Sequence, residues 1–145
     1  MARHKEITQA DKVLFDFART GRGKKTYNSV CRSLGALTRE NMVSRFKIGK
    51  TNDPFGRFKR EYARLYAELL VVYRTRSRGA AADMEKRLID QNWEYRRCDN
   101  WASGGGGHVG ERGPYYVYVV IRYRRKRRPQ PSITSWRRCS DFCVH

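Results

Sequence analysis

Apolar and polar positions along this chain follow two different periods, and the switches between them mark its elements. Ile7, Ala10, Leu14 and Phe17 fall three, four and three residues apart. That spacing predicts an amphipathic helix over residues 6–18, with Thr8 and Asp11 placed as a capping box. Gly21-Arg22-Gly23-Lys24-Lys25 breaks the pattern with loop chemistry, and a short helix from Asn28 to Leu34 is expected to stop at Gly35. Met42 to Gly49 alternates as a strand does, with Met42, Ser44, Phe46 and Ile48 on one face and basic residues on the other. Asp53-Pro54 then supplies an N-cap and a first-turn proline. Phe55, Phe58, Tyr62, Leu65 and Leu69 follow at three-four-three-four spacing and predict a helix with an aromatic core face.

Further on, Leu69 to Arg74 reads as a short buried strand, and Ala80 to Asn92 returns to helical period through Met84 and Leu88, with Glu85 one position off that pair. Cys98 to Pro114 is a long loop holding four consecutive glycines, Gly104 to Gly107. Tyr115 to Tyr123, aromatic and β-branched, is the strongest strand in the chain. The resulting order predicts an α+β protein with a small central antiparallel sheet flanked by helices. At 145 residues it suits one domain with tails: a helical, basic extension over 1–34, a core over 35–124, and a basic, flexible arm over 125–145. No stretch is long and apolar enough to span a membrane and no secretory signal opens the chain, so the sequence predicts an intracellular protein, whether cytoplasmic, nuclear or virus-associated.

Charge changes this picture most. Thirty-two Lys and Arg against 14 Asp and Glu give a net charge of +18, and 23 of the basic residues are Arg. A planar guanidinium grips phosphate bidentately and stacks on bases, so this bias points to nucleic acid as the partner. An anionic membrane is disfavoured because no long basic amphipathic helix with an aromatic anchor face is present. Nothing in the sequence points to a protein partner. Candidate phosphate contacts are Lys24, Lys25, Lys50, Arg60, Arg64, Arg124, Arg125, Lys126, Arg127 and Arg128. The glycine run lacks the Lys-Ser/Thr of a P-loop, which argues against nucleotide hydrolysis. Cys139, Cys143 and His145 cluster near the C-terminus, with Cys98 or His108 as further donors, but their spacing does not match a zinc knuckle and zinc is not expected.

The stretch Phe46-Lys47-Ile48-Gly49-Lys50-Thr51-Asn52-Asp53-Pro54-Phe55-Gly56-Arg57-Phe58 resembles the GIY-YIG endonuclease core, in particular its divergent phage and viral branch, where a KIGKT-like strand replaces YIG. The resemblance covers roughly residues 35–101 and implies a DNA endonuclease that hydrolyses phosphodiester bonds, acting on double-stranded DNA with Mg²⁺ or Mn²⁺. It implies Arg57, eight residues past Gly49, as the catalytic arginine, Glu85 in Met84-Glu85-Lys86-Arg87 as the metal ligand, and Asn100 as the downstream asparagine. The signature tyrosines are missing: Lys47 stands in the YIG position, and Gly35-Ala36-Leu37 falls where the GIY triplet belongs. Either Lys47, Tyr62 or a tyrosine of the Tyr115–Tyr123 strand does their work, or hydrolysis has been lost.

The residues alone leave alternatives open. Arg57 can be a solvated helix residue, Glu85 can pair with a cation on its own helix, and Asn100 can simply make a turn. Val30 to Arg45 can also be read as a helix-turn-helix with Asn41, Ser44 and Arg45 facing a major groove, the mark of a binding protein without catalysis. A structural genome-binding protein needs only the +18 and the Arg-rich arm.

Overall fold

A computed structural model of the chain describes residues 12–101 and 109–125. In chain order it contains β1 (Val13–Leu14), α1 (Lys24–Thr38), β2 (Val43–Thr51), α2 (Pro54–Arg57) continuing into a π-helical turn (Phe58–Tyr62), β3 (Glu68–Thr75), α3 (Arg78–Asn92) and β4 (Tyr115–Tyr123). The strands form one sheet in the order β1-β3-β4-β2. The protein is α+β. The three long strands are antiparallel as expected, while β1 runs parallel to β3 and makes the sheet mixed.

β4 lies between β2 and β3, which explains its composition. A central strand covered on both faces must be apolar at consecutive positions rather than alternate ones, and Val117 to Ile121 are all buried. One face carries α1 and α3, whose Val30, Leu34, Met84 and Leu88 pack on Phe46, Ile48, Val117 and Val119. The other face carries the π-helical turn, whose Phe58 and Tyr62 pack with Val13, Leu69, Val71, Tyr118 and Val120.

Several elements differ from the sequence pattern. Residues 13–18 are not helical: Val13 and Leu14 pair with Leu69 and Leu70, one side chain joining each face of the sheet, so the period is that of a strand. Residues 1–11, with Ile7, Ala10 and the Thr8–Asp11 capping box, lie outside the described residues. α1 starts earlier and ends later than expected, running through Gly35, where an added β-carbon would meet nothing within 4 Å. A mid-helix glycine costs only about 1 kcal/mol relative to alanine, and the buried Val30, Leu34 and Thr38 stripe carries the helix past it. The division between residues 34 and 35 therefore falls inside one core helix.

In β2 a bulge between Val43 and Arg45 inserts one residue, so Val43 turns into the core with Phe46 and Ile48, and Met42 is left exposed. Asp53 caps α2 as predicted, its Oδ1 accepting from Gly56 N at 3.1 Å. The helix stops at Tyr62, however, in a turn whose Ala63 N donates to Phe58 O at 2.8 Å. This wider turn rotates the positions beyond it off the helical stripe. Phe58 and Tyr62 stay inward, Phe55 and Leu65 are exposed, and Leu69 belongs to β3. The strand at 43–51 also leaves no second helix for a helix-turn-helix, since Ser44 and Arg45 sit on β2.

Candidate active site

β2 alternates its candidate site residues between the two faces of the sheet. Ile48 and Lys50 face α3, whereas Lys47 and Gly49 face the π-helical turn. Gly49 pairs in register with Tyr118 on β4, and a β-carbon there would collide with the Tyr118 hydroxyl. The glycine of the Ile-Gly pair is thus the space into which a tyrosine from the far end of the chain packs.

The Tyr118 hydroxyl lies 2.8 Å from that of Tyr62, and the rings meet edge to face with centroids 5.7 Å apart. Lys47 Nζ stands 5.9 Å from the centre of the Tyr62 ring. Both tyrosines are buried, and burial pushes both phenols up, Tyr118 far beyond the physiological range. One proton is shared within the pair and one remains for donation, so the pair is a neutral hydrogen-bond donor rather than a phenolate.

Arg57, from the end of α2, donates to Glu61 Oε1 at 2.8 Å. Its charge favours the ionised forms of Tyr62, Tyr118 and Glu85 alike, although the tyrosines lie on the face of the π-helical turn and Glu85 comes from α3 on the other. Glu85, reached from α3, is only 3% exposed and accepts from Lys50 Nζ at 3.0 Å, with Lys50 11% exposed. Burial raises the Glu85 carboxyl above its ordinary value, while the bond to Lys50 and the charges of Lys50 and Arg57 pull it back. Glu85 therefore pairs with a cation on β2, not one on its own helix.

Asn100 is spent on structure. Its side chain accepts from Ile48 N and donates to Ile48 O, both at 2.9 Å, as a further strand would. Phe46 N donates to Arg97 O and Asp99 N to Phe46 O, extending this pairing along the outer edge of β2. Asp99 then accepts from Tyr66 at 2.6 Å and pairs with Arg45 at 3.1 Å, while Cys98 Sγ donates to Asn100.

The basic candidates scatter more widely. Lys50 is engaged by Glu85, and Arg60 lies 3.9 Å from Asp53 with both side chains exposed. Lys24 and Lys25 open α1; Lys24 lines a cleft of about 790 Å³ between the starts of α1 and α3 and away from Tyr62, Tyr118, Arg57 and Glu85. Arg64, Arg124 and Arg125 meet around another cleft, together with Arg45 and Arg122. Lys126, Arg127, Arg128, His108, Cys139, Cys143 and His145 lie outside the described residues.

Among the described residues no group of three or more His, Cys, Asp or Glu side chains could hold a metal ion, and no helix is long and apolar enough to cross a membrane. A hard divalent ion commonly takes one carboxylate, water and substrate phosphate, and Glu85 is one such donor, with Lys50 as the cation now bonded to it. Compared with family models, with curated proteins and with solved structures, the chain has no match.

Proposed function

We propose that this protein is a DNA-binding endonuclease of the GIY-YIG type, hydrolysing a phosphodiester bond at the Arg57–Tyr62–Tyr118–Glu85 cluster. The observation that carries the reading is the tyrosine pair set against Gly49, since two hydroxyls reach the Ile-Gly pair although the expected tyrosine positions hold Lys47 and an α1 segment. Phosphodiester hydrolysis places extra negative charge on the phosphate oxygens in the transition state. Arg57 is the group to meet it, and a well-placed donor of this kind contributes about 3–4 kcal/mol. Lys47, above the Tyr62 ring, holds the phosphate as a point charge. The spare O–H of the tyrosine pair donates to the phosphate or to the attacking water. Glu85 would hold Mg²⁺ or Mn²⁺, which supplies Lewis-acid polarisation when bound.

The test is incubation with supercoiled plasmid in Mg²⁺ or in EDTA, with Glu85→Gln and Arg57→Ala alongside. Metal-dependent nicking is expected, lost in Glu85→Gln and reduced about 100- to 1000-fold in Arg57→Ala. Binding with no nicking under any condition would instead make this a non-catalytic nucleic-acid-binding protein.

A further inference from the structure

The register of β2 against β4 extends the site in one direction. Gly49 pairs with Tyr118, Lys47 with Val120, and Arg45 with Arg122, so these positions form three steps along one face of the sheet. Beyond Lys47 the line reaches a cleft of about 630 Å³ whose walls include Arg45, Arg64, Arg122, Arg124 and Arg125, with exposed Leu65 among them. Asp99 holds Arg45 from the side at 3.1 Å, and Ser44 Oγ donates to the Arg122 carbonyl at 3.0 Å. Arg64, Arg122, Arg124 and Arg125 form no ion pair among the described residues. Glu68, hydrogen-bonded to Tyr123 on the cleft wall, and Glu40 bring some negative charge close, but four arginines outside any ion pair still repel one another, and a polyanion laid between them relieves that repulsion.

We infer that this arginine cleft is a phosphate track, seating the backbone of duplex DNA a few nucleotides from the bond addressed at the tyrosine pair. Four residues of β4 separate Tyr118 from Arg122, roughly 13 Å at ~3.3 Å per residue. At ~3.4 Å of helix axis per nucleotide on one strand, that is about four phosphates. The guanidinium forks grip phosphate oxygens, and Leu65 offers an apolar contact to a sugar. The assignment rests on the endonuclease reading for its direction, but it makes a claim about binding that stands or falls separately.

The experiment is fluorescence anisotropy of a labelled DNA duplex titrated with the full chain in EDTA, so that no cleavage intervenes, over a range of salt. Arg64→Gln/Arg122→Gln/Arg124→Gln is compared with Arg32→Gln/Arg39→Gln/Lys86→Gln, which removes the same charge from α1, its C-terminal cap and α3 on the opposite face. The slope of log affinity against log salt is expected to become shallower by about 2–3 in the cleft variant, at ~0.9 per phosphate contact, and by less than about 1 in the other. Equal changes in both would mean bulk charge and overturn the track. Circular dichroism checks folding, and Arg124→Gln/Arg125→Gln, at exposed positions past β4, repeats the test if the triple variant does not fold. A shallower slope in a protein that never nicks plasmid keeps the track and removes the nuclease. An unchanged slope in a variant whose parent nicks does the reverse.

Discussion

Lys50→Met separates the buried ion pair from its surroundings while keeping most of the apolar stem. In the folded protein Glu85 is 3% exposed and its Oε1 accepts from Lys50 at 3.0 Å. Removing one partner of a buried pair leaves an uncompensated charge, and such changes cost about 3–5 kcal/mol. The positive charge of Arg57 nearby places this case toward ~3 kcal/mol, still a large share of the ~5–15 kcal/mol that holds a domain together.

The pH dependence follows from the direction of the Glu85 shift. Its carboxyl is raised in the folded state, chiefly by burial, so the native protein holds this proton more tightly than the unfolded chain. That contribution to stability is fully present below the unfolded carboxyl value and is lost as pH rises through the folded one. Lys50→Met raises the folded value further and carries the loss to higher pH. Urea unfolding is therefore expected to show the variant weakened by ~3 kcal/mol near pH 8 and by less near pH 5, because falling pH favours the protonated carboxyl and removes the uncompensated charge. Lys50→Met/Glu85→Gln should return to within about 1–2 kcal/mol of the parent at both, because no charge is left buried. An equal loss at both pH values, or one not relieved by Glu85→Gln, would refute the reasoning.

Three further changes test other contacts. Gly49→Ala drives a β-carbon into the Tyr118 hydroxyl and should cost about 1–3 kcal/mol in thermal or urea unfolding, as overpacking does. Tyr118→Phe leaves the buried Tyr62 hydroxyl without its 2.8 Å partner; it should cost about 1–2 kcal/mol, and combined with Tyr62→Phe less than the sum of the two, which a double-mutant cycle measures. Asn100→Ala removes both side-chain bonds to Ile48 and should lower stability by about 1–3 kcal/mol while speeding hydrogen exchange at the Ile48 amide.

Local chemistry was the legible part of this sequence. Asp53-Pro54 marks the start of α2, the period through Met84 and Leu88 marks α3, and the aromatic, β-branched run marks β4. What misled was spacing without a partner: Leu14 and Phe17 fall at helical intervals, yet the open edge of β3 takes Val13 and Leu14 as a strand. Gly35 looked like a stop because the pull of Leu34 and Thr38 into the core has no local signature. In the candidate site, Arg57 and Glu85 were singled out by the family resemblance, and the charge of Arg57 acts on the Glu85 carboxyl. The Lys50–Glu85 pair was not, because 35 residues separate its members and only the packing of α3 on β2 joins them. Asn100 gave no hint that its amide would act as a strand backbone.

Tyr118 shows why chain order was the harder problem. The GIY-YIG pattern that residues 46–58 resemble places one tyrosine-bearing strand about ten residues before the Ile-Gly pair, and in this chain Gly35-Ala36-Leu37 lies within α1. The strand opposite Gly49 arrives instead from residues 115–123, after β3 and α3 have been laid down. An antiparallel pair is specified by register and by which face is buried, not by which strand comes first. A tyrosine facing Gly49 can therefore come from either end of the chain, provided that its neighbours on the same face fit the core, as Val120 does beside Tyr118. On the endonuclease reading, the missing triplet is a displaced strand, and a search for tyrosines by distance along the chain looks in the wrong place. The useful signal is a glycine in an otherwise apolar strand, which marks a close approach by another part of the protein, together with a later strand that carries a tyrosine among β-branched residues on the same period.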